Sequence, residues 1–246
     1  DDPERDYSAK LIARGNDYAA AQPDICGFIA TPNSPSCGAY GVKLYLPNGN
    51  PVHKTRGLFS RSLMENRPLL PVEESGRLND AGLRENFIMR VFTLHRWKQL
   101  TKQGMTANAL VQFHSRHKYL VMSRNYKAYR ELGRLIAKLD KDTLQETARL
   151  YISGLMTALA TPPERGTHCN VLQHLMGYLK KKLDQQDKHE LLTSIEDYRK
   201  GVIPLIVPIA LLKHHLARDV EQNQYALQKF YLAPYPHELG LRSHIH

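Results

Sequence analysis

At Asn79-Asp80 the hydrophobic pattern changes its period, and that change restricts the chain to a fold in two parts. Upstream, residues are rich in Pro, Gly, Asn and Ser and the apolar runs are short. Residues 26–31 and 41–46 predict strands bounded by turn-forming clusters, with a loop over 32–40 between them. Residues 7–21 have helical spacing through Leu11, Ile12, Tyr18 and Ala19. The order helix, strand, loop, strand predicts part of an α/β unit. Downstream, Leu83, Phe87, Val91, Leu94 and Trp97 or Lys98 share one helical face. Further helices are predicted over 106–119, 126–139, 142–159 with Asp142 as cap, 170–183, 186–199 with a stop at Gly201, 203–216 and 220–232. Pro204 fits a first helical turn, whereas Pro208 should kink its helix or mark the true start. The expected fold class is α+β overall: a partial α/β unit over 1–90, then an all-α domain over 91–246, with the boundary between Asp80 and Leu100.

Charge separates the two parts further. The formal net charge is +10 and the pI is about 9.5. Up to Arg90 there are 11 basic and 11 acidic residues; from Val91 onward there are 23 basic against 13 acidic, and eleven of the twelve His. An excess confined to one part points to a polyanionic partner, with nucleic acid ahead of membrane because no apolar anchor accompanies it. The plainer alternative is a basic helical domain with no such partner. The longest apolar run, 202–212, holds two prolines and falls short of the roughly 20 residues a membrane span needs. No targeting signal is visible. Three cysteines (Cys26, Cys37 and Cys169) are too few for a disulfide framework and fit a reducing, cytoplasmic setting.

The segment Ser34-Pro-Ser-Cys-Gly38 combines a fixed φ, a permissive glycine, two hydroxyls and a thiol between two strands. A thiolate there could act as a nucleophile or a soft metal ligand. A reduced structural cysteine in a Ser/Pro turn is the alternative.

The runs Gly27-Phe-Ile, Asn33-Ser-Pro-Ser-Cys-Gly38, Gly41-Val-Lys-Leu-Tyr45, Gly57-Leu-Phe-Ser-Arg61, Leu70-Pro-Val-Glu-Glu-Ser-Gly-Arg-Leu-Asn-Asp80 and Leu83-Arg-Glu-Asn-Phe87 resemble the second half of the thiouracil desulfidase (TudS) domain, over residues 7–97. The remainder resembles the helical domain often fused behind it, through segments such as Phe113-His-Ser-Arg-His-Lys118 and Asn170-Val-Leu-Gln-His-Leu-Met-Gly-Tyr178. The combination looks like the tRNA 4-thiouridine desulfidases (RudS). That resemblance implies a [4Fe–4S] cluster on three cysteines, an open iron that takes the sulfur of a thiocarbonyl base, and non-redox release of sulfide. It implies Cys37 as a cluster ligand, and Ser34, with Ser36 as second choice, for hydrogen bonding to substrate or water. The family's other two cysteine motifs do not occur. The resemblance therefore implies a chain that starts partway through its catalytic domain, inactive by itself, with the activity in a longer parent.

In the basic part, candidates for phosphate contact are Arg96, Lys98, Lys102, Arg116, Lys118, Arg124, Lys127, Arg130, Lys180, Lys181 and Lys182, with Trp97, Tyr119, Tyr126 and Tyr178 available for stacking on bases of tRNA. The competing reading puts the cations on a solvated face and the aromatics in the core. His114 with His117, His168-Cys169 with His174, and His214-His215 invite a metal site, but no carboxylate or thiol completes a ligand set near them in sequence. Gly133 and Gly177 suggest close helix–helix approach. Glu73-Glu74 reads as a surface turn or a contact with Arg77 or Arg84. Three functions follow: a tRNA 4-thiouridine desulfidase, a nucleic-acid-binding module without chemistry, or a helical protein-interaction domain.

Overall fold

The computed structural model describes residues 6–46, 48–180 and 182–245. The chain divides into two units, residues 1–87 and 88–246.

In the first unit, helix α1 (Ser8–Ala21) packs on α2 (Leu58–Asn66). The contact is close because Gly15 has no side chain: a Cβ there would lie 2.7 Å from the Phe59 carbonyl oxygen and 2.8 Å from Ser62 Cβ. Ser62 Oγ donates to the Ile12 carbonyl at 3.1 Å across the same contact. Strand β1 (Phe28–Ala30) pairs in parallel with β4 (Val72–Glu74), with Phe28 opposite Val72 and Ala30 opposite Glu74. Tyr18, Phe28 and Phe59 form one aromatic cluster, with ring centres 5.6–6.4 Å apart. Strands β2 (Val42–Tyr45) and β3 (Pro51–Thr55) form a separate antiparallel pair. The sequence predicts β1, β2 and α1; β3, α2 and β4 are additional. Glu73 and Glu74 are buried strand residues and not a surface turn. Glu74 accepts the Ala39 and Tyr40 N–H groups at 3.0 and 2.9 Å, and Glu73 pairs with Arg77 at 2.7 Å.

The second unit is helical: the rest of α3 (Ala81–Gln103), α4 (Ala107–Met122), α5 (Tyr126–Ala137), α6 (Leu144–Leu159), α7 (Arg165–Met176), α8 (Gln185–Lys200), α9 (Ile206–Ala217) and α10 (Val220–Leu227). Side chains cap several N-termini where orphan N–H groups need acceptors. Thr106 accepts from Ala109, Asn125 from Ala128, Asp184 from Asp187 and Asp219 from Gln222. Gly201, at φ 78°, ends α8 in the left-handed conformation that glycine tolerates. Thr143, not Asp142, is the cap residue of α6. Pro208 lies in the first turn of α9, where its missing N–H costs nothing. The core holds Leu110, Leu120, Leu155, Leu159, Leu172 and Leu175, all fully buried and each contributing about 1.5–3 kcal/mol of transfer free energy. Trp97, Tyr119 and Tyr151 are core residues as well. Gly133 and Gly177 do not mediate close approach, since nothing lies within 4 Å of a Cβ built on either. Gly154 does: its Cβ would meet Leu132 at 3.0 Å. Among the described residues no helix is long and apolar enough to cross a membrane.

Candidate functional site

In the first unit, the loop at Ser34–Gly38 is held by the start of α2. Leu58 N–H donates to Pro35 O, Phe59 N–H to Ser36 O, and Ser60 Oγ to Cys37 O at 2.6 Å. The helix thus uses loop carbonyls as its N-terminal acceptors. Gly57 permits this, because a Cβ there would lie 2.4 Å from Ser36 O. Within the loop Ser34 Oγ accepts the Cys37 N–H at 3.1 Å and lies 3.1 Å from Ser36 Oγ. Ser36 Oγ in turn donates to Cys37 Sγ at 3.4 Å. The structure therefore brings Ser34, Ser36 and Cys37 together in a half-buried hydroxyl–thiol cluster.

The residues present do not fit an iron–sulfur cluster. Among the described residues no three of His, Cys, Asp and Glu form a group that could hold a metal ion. Cys26 donates to the Asp24 carbonyl, and Cys169 is buried in the helical unit against the Ile195 carbonyl. Cys37 would be a single ligand. The histidine pairs are likewise structural. His117 is buried and stacked on Phe113 at 3.9 Å, His168 meets Tyr231 Oη at 2.8 Å, and His215 is buried 3.7 Å from Asp187.

The sequence-predicted cations fall into different environments. Arg124 is buried, its Nη1 donating to Leu120 O and Ser123 Oγ. Arg96 lies 3.8 Å over the Phe230 ring and donates to the Pro234 carbonyl at 2.7 Å; burial pulls its guanidinium down to about 10. Both are engaged internally, which sequence cannot reveal because an arginine on a helix reads the same buried or exposed. Lys98 is half-buried, Lys102 and Lys180 are exposed, and Lys182 pairs with Asp219 at 2.9 Å. Lys181 lies outside the described residues. Arg116 is exposed and lines a cleft of about 380 Å³ with His95, Arg96 and Phe230.

Lys118 stands in the more specific site. A second cleft, of about 500 Å³, is lined by Ser115 and Lys118 from α4, Tyr129, Arg130 and Gly133 from α5, and Tyr225 from α10. Behind it, Lys229 is 1% exposed, donates to Ser115 Oγ at 2.9 Å and sits 3.2 Å from the Tyr225 ring centre. Burial pulls the Lys229 ammonium down to about 8, opposed by Tyr225 and reinforced by the charges of Lys118 and Arg116. Burial would raise the Tyr225 phenol, but hydrogen bonds with Ser115 and Lys118 and the charges of both lysines outweigh it and bring it down to about 8. Burial would lower Lys118; a hydrogen bond with Tyr225 and the neighbouring phenols hold it above its ordinary value instead. Tyr178 extends the aromatic wall, 5.8 Å from Tyr225 and hydrogen-bonded to Tyr119 Oη at 3.1 Å. Sequence reasoning singled out Lys118, Arg130 and Tyr178, with Ser115 inside the same basic run, but missed Tyr225 and Lys229.

Residues 118–236 match the family described as Protein of unknown function (DUF1722), a stretch that starts at Lys118 and holds most of the second cleft. The chain is also 31% identical over 134 residues to the Uncharacterized protein YbgA of Escherichia coli (strain K12), covering 54% of this chain and 79% of that protein. No solved structure matches. These findings overturn the resemblance to the TudS domain and to RudS: neither match concerns a desulfidase, and the family match lies in the helical unit, beyond most of the stretch that carried the resemblance. On the match in the helical unit and the extent of its likeness to the Escherichia coli protein, the chain belongs to the DUF1722 family.

Proposed function

We propose that this chain is a cytoplasmic RNA-binding protein whose helical unit holds tRNA. The observation that carries the reading is the uncompensated positive charge of the second cleft. Lys229 contacts Ser115 Oγ and the Tyr225 ring, Lys118 lies over the Tyr225 ring, and among the described residues neither lysine forms an ion pair with a carboxylate. Glu131, Glu146, Asp187, Glu196 and Asp219 form their ion pairs elsewhere in this unit. Cations without acidic partners, beside exposed Tyr126, Tyr178 and Tyr225, suit phosphates and unpaired bases. A protein-interaction domain whose charge served only solubility would have no need to gather its cations around a cleft. The test is tRNA binding across a salt series. Affinity that falls linearly on a log–log plot supports the reading, and no binding at 50 mM salt sinks it.

A second reading, release of sulfide from 4-thiouridine in tRNA, is favoured by one observation, the Ser34–Ser36–Cys37 cluster with its thiol half-buried beside two hydroxyls. No step through an iron–sulfur cluster is derived from these residues. Sulfide released from thiolated tRNA by the chain, and none by Cys37→Ala, would support this second reading; no release, or release undiminished in that variant, removes the loop from the chemistry.

A further inference from the structure

The second cleft has a feature that general backbone attraction does not explain. Gly133 lines it in the middle of α5, where a glycine costs about 1 kcal/mol relative to alanine. Nothing lies within 4 Å of a Cβ built there, so packing gives no reason for the residue. What the glycine does is keep the cleft open. Opposite it stand Lys118 and Ser115, separated by one helical turn and so on the same face of α4. Lys229 lies behind Ser115, 1% exposed, and among the described residues its partners are the Ser115 hydroxyl and the Tyr225 ring and not a carboxylate. A buried ammonium is expensive unless paired. A dianion would balance Lys118 and Lys229 together.

We propose that this cleft receives a phosphate monoester, seated between Lys118 and Arg130, hydrogen-bonded by Ser115 and Tyr225 and backed by Lys229, with the space beside Gly133 left for the nucleoside that carries it. A volume of about 500 Å³ suits a mononucleotide. Tyr129 and Tyr225 offer ring faces for its base. A monoester is favoured over an internal phosphodiester, which brings one negative charge to two lysines. The inference rests on the RNA reading for its most direct source, a 5′-phosphorylated RNA end; a free mononucleotide presents the same chemistry.

Calorimetric titration of the full chain with 5′-AMP, adenosine and inorganic phosphate tests it. AMP should bind saturably, adenosine should not, and inorganic phosphate should compete with AMP. Lys118→Gln should weaken AMP by roughly tenfold or more, the loss of one charge-assisted contact. Gly133→Leu should abolish AMP binding while leaving the thermal melt unchanged or raised, because a helix former replaces glycine in open space. Lys180→Gln, outside the cleft, should change nothing. Equal binding of AMP and adenosine, or AMP binding that survives both cleft variants, overturns the proposal. tRNA binding without any binding of AMP or phosphate would also overturn it, while leaving the RNA reading intact. AMP binding without tRNA binding would do the reverse. Comparing 5′-phosphorylated with 5′-hydroxyl RNA then identifies the source.

Discussion

Acid should unfold the helical unit early, because two of its buried histidines refuse protons. His117 is 0% exposed, stacked on Phe113, and its Nδ1 lies 2.8 Å from the Phe113 carbonyl. Its Nε2 is buried with no hydrogen-bond partner among the described residues. Burial, opposed by the Phe113 contact, pulls this imidazole down to about 3. His168 is held well below 6.5 by burial and by the charges of Arg124 and Arg242. In the unfolded chain each titrates near 6.5. Above that pH both states are neutral and stability does not depend on these groups. Below it the unfolded chain takes up protons that the folded one does not, so stability falls with pH until the folded values are reached. The slope is about 1.4 kcal/mol per pH unit for each histidine.

At pH 5 the loss from His117 depends on the unfolded value alone, since its folded value lies below. It comes to about 2 kcal/mol for His117, with His168 adding in the same direction, a substantial part of a typical total of about 5–15 kcal/mol. Trp97 is the single tryptophan, buried edge-on to Phe113 at 5.2 Å, so its fluorescence reports this core. Urea unfolding followed at Trp97 should show a clearly lower midpoint at pH 5.0 than at pH 7.5. His117→Phe should show a smaller pH dependence than the parent, whatever its stability at pH 7.5, with His168 and His114, the latter pulled down to about 4 by burial, carrying the remainder. Equal midpoints at the two pH values, or an unchanged pH dependence in the variant, would refute the reasoning.

Four further outcomes follow from packing. Gly57→Ala forces a methyl against Ser36 O and should cost about 1–3 kcal/mol, read as faster hydrogen exchange over residues 34–38. Leu155→Ala empties a fully buried site and should cost about 2–5 kcal/mol in urea unfolding. Gly133→Ala should stabilise by up to about 1 kcal/mol in the same assay, since its methyl enters open space. Lys182→Gln should leave tRNA affinity within about threefold, because that ammonium is already held by Asp219 in a partly exposed pair of small worth; a loss above tenfold would show that the pair opens to RNA.

The helical unit was legible in the sequence because its apolar stripe repeats over many turns, and chance rarely sustains that. The α/β unit was legible only where strands are apolar. Strand β4 carries Glu73 and Glu74, which read as a surface turn or a contact with Arg77 or Arg84; Glu73 does pair with Arg77, but the strand and the Ala39 and Tyr40 donors to Glu74 are not legible locally. Helix α2 is short, and its start is defined by carbonyls of a loop some twenty residues earlier, a contact no local window contains. The triplet at Lys180 drew notice by its charge density alone. The clefts did not, because their residues are ordinary one by one.

The second cleft shows why. Ser115 and Lys118 lie in the segment Phe113-His-Ser-Arg-His-Lys118, which mixes three environments: Phe113 and His117 turn into the core, Arg116 toward one cleft, and Ser115 and Lys118 toward the other. Helical geometry sorts them at 100° per residue, and only the fold brings Tyr225 and Lys229, themselves one turn apart in sequence, to the same place. Lys229 follows the end of α10, where a lysine ordinarily means a solvated cation complementing the helix dipole. Here it is buried against a serine and a tyrosine ring, at a cost in desolvation that no carboxylate among the described residues offsets. A methionine would fill that volume more cheaply. A fold that keeps the ammonium, and keeps a glycine in mid-helix across from it, forgoes stability at two positions for the same cleft. Packing accounts for neither residue, whereas an anion that enters the cleft accounts for both.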